Sequence, residues 1–227
     1  MLLGGLQKTT LLDYPGKVAC TVFLPGCNLR CPYCHNPSLV LPERIHGLPE
    51  ADFFDFLSRR RGKLDGVCVT GGEPTVHPDL PEFLTKIRDM GFLVKLDTNG
   101  SHPRMLRSLV ENNIIHYAAV DIKNSPARYS ETVGGPDILP QVRETAAYLM
   151  ENPVPFEFRT TVCSLHTLED MEAIGAWLAG PEPYYLQAFR DTGDLVGKGI
   201  TALPAPRLRE LHRAVLPWIP HAELRGI

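Results

Sequence analysis

Hydrophobic positions fall into two alternating rhythms along this chain. Short, nearly continuous apolar runs occupy 18–24, 66–71, 92–97, 117–123, 156–162 and 184–188. Runs of that length predict strands buried on both faces. Between them, apolar residues return every three or four positions. Leu80, Phe83, Leu84, Ile87 and Met90 mark one such stretch, and Leu168, Met171, Ile174 and Leu178 another; that spacing lines one face of a helix. Patterns over 50–61, 138–151 and 205–215 predict further helices. Start signals agree with the rhythm. Asp79 with Glu82 three residues on reads as a capping box, and Ser101 and Thr167 read as N-caps of the helices that follow them.

About six strand–helix repeats predict an α/β fold with a mostly parallel sheet, because parallel neighbours need a crossover and the helix supplies it. Such a sheet can stay open or curl towards a barrel. No linker, repeat or low-complexity segment divides the 227 residues. One domain is therefore expected over 1–227, with an N-terminal extension at 1–16 and a variable tail at 200–227. Proline-rich stretches at 152–155 and 181–183 read as loops. In sheets of this kind ligands bind at the carboxyl ends of the strands, and the unusual polar clusters fall there. A cysteine-rich loop, 25–37, follows the first strand. Thr70-Gly71-Gly72-Glu73-Pro74 follows the second and Asp97-Thr98-Asn99-Gly100 the third. Asp121-Ile122-Lys123 closes the fourth, Arg159 lies on the fifth, and 187–190 ends the sixth.

Composition narrows the partners. Basic and acidic residues number 23 and 26, a net charge of −3, with no charge run to suggest a nucleic-acid surface. No stretch approaches the roughly 20 apolar residues of a membrane span. Met1-Leu2-Leu3-Gly4-Gly5 lacks the basic start of a signal peptide. A cytoplasmic location is expected.

The chemistry centres on cysteine. Of six cysteines, three fall in Cys27-Asn28-Leu29-Arg30-Cys31-Pro32-Tyr33-Cys34. In a reducing compartment such crowding favours metal ligation over disulfides. Thiolates suit an iron–sulfur cluster or zinc. A closed zinc site wants four ligands, and only His35 stands near as a fourth; its adjacency to Cys34 makes a poor chelate. Three thiolates on one loop can instead hold three corners of a cubane and leave one iron open. Cys20, Cys68 and Cys163 sit on apolar strands and read as buried small hydrophobes. His77, His102, His116 and His166 have no metal-ligand spacing.

The C-x3-C-x2-C spacing, with aromatic Tyr33 before the last cysteine, resembles the signature of the radical S-adenosylmethionine superfamily. Gly71-Gly72-Glu73-Pro74 resembles the segment that pairs with the cofactor's amino group there. Taken alone it is only a glycine turn. Leu96-Asp97-Thr98-Asn99-Gly100 and Asp121-Ile122-Lys123 resemble segments of glycyl-radical-enzyme activating enzymes. By themselves they are a turn with a helix cap and a strand-end charge pair. The opening 5–17, with Phe23-Leu24-Pro25-Gly26 and His35-Asn36-Pro37, is similar to anaerobic ribonucleoside-triphosphate reductase activating proteins over about residues 4–190. Arg190 departs from a histidine that the pyruvate formate-lyase activator carries after its last barrel strand.

The resemblance implies a partial (βα)6 parallel barrel. It implies one [4Fe-4S] cluster on Cys27, Cys31 and Cys34. It further implies S-adenosylmethionine beside Tyr33, Gly71, Gly72, Glu73, Asp97, Thr98, Asn99, Asp121, Lys123 and Arg159. A monovalent cation near Asp97, Thr98 and Asp121 is part of the same expectation. So are a glycyl-radical enzyme as partner, the anaerobic ribonucleotide reductase above all, and a flavodoxin- or ferredoxin-type electron donor. No nucleic-acid or membrane partner is expected. A radical enzyme acting on a small molecule or peptide, or a non-catalytic cluster carrier, are the alternatives.

Overall fold

The computed structural model describes residues 1–44, 47–151, 154–191 and 193–227. Eight strands form its main sheet: β1 (Gly5–Thr10), β2 (Ala19–Leu24), β3 (Gly66–Gly71), β4 (Leu93–Thr98), β5 (Tyr117–Asp121), β6 (Phe156–Val162), β7 (Tyr184–Ala188) and β8 (Glu223–Arg225). They lie side by side in chain order, with β1 antiparallel to β2 and every other neighbour parallel. The principal helices are α1 (Glu50–Ser58), α2 (Leu80–Asp89), α3 (Pro103–Glu111), α4 (Leu139–Glu151), α5 (Leu168–Trp177) and α6 (Ala205–Val215).

Chain order explains the shape. Right-handed crossovers between successive parallel strands put every helix on one face, and the strands then curl about the other. The sheet stops at β1 and β8, so the barrel is partial. The expected six-stranded parallel barrel is present as β2 to β7. The structure adds β1 and β8, one at each edge. Gly5–Thr10 is mostly exposed and carries no apolar run, and Glu223–Arg225 is three residues long. Neither presents the apolar period that marks an interior strand. A separate two-stranded pairing joins Leu2–Leu3 to Leu48–Pro49.

The apolar runs conceal an alternation. Val67, Val69, Val94, Leu96, Ala118, Val120, Phe158, Tyr184 and Leu186 join the core beneath the helices. Their strand neighbours turn the other way, and Thr21, Thr70, Asp97, Asp121, Arg159, Thr161 and Gln187 line a cavity inside the curl. The barrel interior is thus polar, and the core lies between sheet and helices. Aromatic packing, as in the stacked Phe53 and Phe83 rings 5.6 Å apart, seats α1 on α2.

Two of the three capping expectations change. Thr167 and Asp170 form the reciprocal box at the start of α5. Asp79 makes no cap bond; its backbone (φ −87°, ψ 2°) is already turned, and its carboxylate lies 4.0 Å from the N-terminal ammonium. Ser101 does not cap α3, which starts a residue later behind His102. The Ser101 hydroxyl instead accepts a bond from Asn28 of the cysteine loop (3.0 Å). The 152–155 loop expectation lies partly outside the described residues.

Candidate active site

Cys27, Cys31 and Cys34 sit on a loop with little regular structure, so other elements must hold it. From β3 and the turn after it, the Gly72 amide donates to Leu24 O (2.9 Å) and the Glu73 amide to Gly26 O (2.8 Å). A His77 ring nitrogen lies 2.6 Å from Pro25 O. From the turn after β4, Asn99 Nδ2 donates to Asn28 Oδ1 (2.9 Å). The Arg30 amide donates to Val133 O (2.9 Å), at the end of the short helix Tyr129–Val133. On the outside, the Val196 and Gly197 amides donate to Cys34 O (3.0 Å) and Pro32 O (2.9 Å). Arg44 grips Asp194 of the same outer segment with two guanidinium nitrogens. A Cβ on Gly197 would lie 2.5 Å from Pro32 Cβ, so only glycine allows this approach.

All three cysteines are free and line one cavity of about 320 Å³. The same cavity is lined by Tyr33, Gly71, Gly72, Glu73, Asp97, Thr98, Asn99, Asp121, Lys123 and Arg159. Five segments far apart in sequence therefore meet at the carboxyl ends of the strands. Gln7, Asp13, Thr21, Thr161 and Gln187 also reach it; of these five only Gln187 belongs to a polar cluster that the sequence places at a strand end. Arg190 stays outside, exposed, with Nη2 3.4 Å from Gly226 O. Cys20, Cys68 and Cys163 are fully buried.

The thiols suit a cluster. Burial pushes Cys27 up to about 11, despite an amide bond from Leu29, and pushes Cys31 up against the opposing pull of Lys123. The Cys27 and Cys31 thiols are therefore protonated at neutral pH, and ligation by them must displace protons. Three thiols lining one cavity fit a multi-iron cluster. Tyr33 is buried behind them, its ring edge-on to His166 at 6.4 Å, and its hydroxyl points at Lys123 O.

Glu73 lines the cavity but is only 1% exposed, and both of its carboxylate oxygens already accept hydrogen bonds. Oε1 accepts bonds from the Thr75 amide (3.1 Å), the Thr75 hydroxyl and the Thr98 hydroxyl (2.6 Å), and Oε2 accepts one from the Asn99 amide (2.6 Å). It organises the turn after β4 and, through Asn99, reaches Asn28 of the cysteine loop. Glu73→Gln places an amide donor among these donors. We expect a loss of about 2–4 kcal/mol of stability, measured by urea unfolding.

The barrel interior is a chain of charges. Asp97 pairs with Lys95 of its own strand and with Arg159 Nη1 (3.1 Å). Asp121 pairs with Arg159 Nε (2.9 Å) and with Lys123 Nζ (3.1 Å). Burial alone would raise both carboxyls. Arg159 with Lys95 at Asp97, and Arg159 with Lys123 at Asp121, outweigh it and hold both below the usual range. A depressed carboxyl adds stability that is complete above the unfolded carboxylate value, about 3.9. It is lost as pH falls through the lower folded value. Asp121→Asn should accordingly cost about 1–3 kcal/mol at pH 7. The gap to wild type should stay constant above about pH 4 and narrow as the pH falls further, in denaturant titrations.

The expected monovalent cation does not fit this donor set. Both oxygens of Asp97 and both of Asp121 are engaged by Lys95, Arg159 and Lys123. The Thr98 hydroxyl donates to Glu73 and accepts from the Gly100 amide (3.1 Å).

Comparison with known proteins places the site. The model of the Radical SAM superfamily matches residues 21–178. A protein of Methanocaldococcus jannaschii named "Putative glycyl-radical enzyme activating enzyme" is 33% identical, across 100% of this chain and 96% of that protein. The PqqA peptide cyclase of Methylorubrum extorquens is 30% identical over 60% of this chain and 36% of its own. Among solved structures, Streptococcus suis SuiB bound to precursor peptide SuiA superposes with a TM-score of 0.71 at 17% identity, over 91% of this chain and 48% of that one. A domain of pyruvate-formate lyase-activating enzyme from Bacteroides vulgatus gives 0.54 at 18%, over 71% and 99%. With the motif, the partial barrel and a full-length relative in agreement, this chain belongs to the radical SAM superfamily.

Proposed function

We propose that this protein is an activating enzyme, which takes a hydrogen atom from a glycine Cα of a partner polypeptide and leaves a glycyl radical there. The observation that carries the reading is the convergence of Cys27, Cys31 and Cys34 with the strand-end polar groups on one cavity. The full-length relative with an activating-enzyme name supports the choice of partner. The three cysteines would hold a [4Fe-4S] cluster, which when bound supplies the electron that splits S-adenosylmethionine into methionine and a 5′-deoxyadenosyl radical.

The chain's own residues bind and orient. Gly71 and Gly72 let the backbone lie tight against Leu24 and Gly26, where a Cβ would collide, and the backbone so placed borders the cavity where the methionine end of the cofactor would sit. Glu73 fixes the Asp97–Asn99 turn from behind. Lys123 and Arg159 present fixed positive charge to the cofactor's carboxylate. Asp97 and Asp121 keep those cations in place. The seal of the cysteine loop against 133–135 and 196–197 keeps water from the reacting centre.

A glycine Cα–H is a suitable target because its radical is delocalised over the flanking amide groups. We assign an anaerobic ribonucleotide reductase as the partner, a flavodoxin- or ferredoxin-type protein as the electron donor, and the cytoplasm as the location. Six free cysteines suit that compartment. Among the described residues, no helix is long and apolar enough to cross a membrane.

The test is electron paramagnetic resonance on anaerobically reconstituted protein mixed with reductant, S-adenosylmethionine and the candidate reductase. A glycyl doublet that a Gly→Ala variant of the partner's radical loop lacks supports the reading. Cofactor cleavage without any glycyl signal, across the candidate partners, favours a small-molecule or peptide substrate instead.

A further inference from the structure

Lys95 was not among the residues singled out in the sequence, yet it occupies the centre of the barrel. It is fully buried on β4. A strand repeats every two residues, so Lys95 and Asp97 share the inward face. Its ammonium binds Asp97 Oδ1, lies 5.8 Å from the centre of the Tyr117 ring, and is 4.0 Å from Cys68 Sγ. An ammonium buried in this way is strongly unfavourable unless an opposite charge compensates it. Asp97 supplies that compensation, and the two fix each other's position.

We propose that the Lys95 ammonium is a built-in cation of the cofactor site, holding Asp97 where a monovalent metal ion was expected. Two observations converge on it. The oxygens that such an ion would need, on Asp97, Asp121 and Thr98, already have partners. Lys95 is anchored from below the cavity floor, so it neutralises Asp97 without filling cofactor space; it is absent from the cavity lining.

This inference rests on the S-adenosylmethionine site proposed above. The test is calorimetric binding of S-adenosylmethionine to the anaerobically reconstituted protein in potassium, sodium or choline chloride at matched ionic strength. Wild-type affinity should stay within about twofold across the three salts. Lys95→Met, with a vacated cation position, should bind about fivefold or more tightly in potassium than in choline. Lys95→Arg, which keeps the charge, should remain indifferent. Thallium-205 resonance broadening should appear with Lys95→Met and be absent with wild type. A wild-type preference for potassium or sodium of about fivefold or more overturns the inference, and so does salt indifference in Lys95→Met. If Lys95→Met does not fold, the wild-type and Lys95→Arg salt series decide. Absence of S-adenosylmethionine binding in every salt sinks the proposed function rather than this assignment.

Discussion

Cys31→Ala leaves a folded protein whose S-adenosylmethionine cleavage falls to background. The expectation follows from where the thiol sits. Cys31 is 7% exposed, on a loop, where it lines the cavity at the edge of the core. Losing one sulfur at such a wall costs the apoprotein about 1 kcal/mol or less. The strands keep their core neighbours. A cluster held by three thiolates, in contrast, loses a corner and cannot be rebuilt from nearby groups. Cys20, Cys68 and Cys163 are buried elsewhere, and Cys163 lies 3.7 Å from His166 Nδ1. Circular dichroism and thermal melting of the apoprotein should match wild type within a few degrees, a shift of the size a ~1 kcal/mol change produces. Chromatography should detect no 5′-deoxyadenosine above the no-enzyme control. Sustained cleavage by Cys31→Ala would remove that residue from the ligand set.

Gly72→Ala is expected to damage the same loop from behind, without touching a cysteine. A Cβ on Gly72 would lie 2.0 Å from Gly26 O, 2.7 Å from its carbonyl carbon and 3.3 Å from Cys27 Cβ. Backbone, not a flexible side chain, stands in the way, so the chain must separate. The Gly72-to-Leu24 and Glu73-to-Gly26 hydrogen bonds fail with it. Overpacking of this kind costs about 1–3 kcal/mol, and each lost bond about 1 more. The displaced residue adjoins Cys27, so iron content after reconstitution should fall along with stability. Gly5→Ala is the control. Its Cβ would meet Phe23 at 3.6 Å, an ordinary contact, and both iron content and melting temperature should stay near wild type.

The fold was legible where side chains faced the helices. Val67, Val69, Val94, Leu96 and Val120 carry the strand signal because they pack into the core. The edge strands were not legible, since β1 is exposed and β8 is very short. Of the site, the cysteines and glycines were readable because their chemistry depends on residue type at fixed spacing. The role of Glu73 was not, because the identity of its donors, Thr75, Thr98 and Asn99, depends on how the turns after β3 and β4 meet. Lys95 was hidden for a related reason. A lysine within an apolar run reads as an interruption until the curl of the sheet reveals a polar interior. The outer segment at 193–199 carries no motif, yet two of its amides hold the carbonyls of Pro32 and Cys34. Backbone donors leave no mark in the sequence; only Gly197 does, through its contact with Pro32.

The central claim is that three cysteines of this cavity hold a cluster at which S-adenosylmethionine is cleaved. Its most direct test is a single anaerobic assay of reconstituted, dithionite-reduced protein with S-adenosylmethionine, read as 5′-deoxyadenosine and methionine by mass spectrometry. The account predicts both products in equal amounts, dependent on iron, sulfide and reductant. A fully iron-loaded, reduced protein that forms neither product would contradict it.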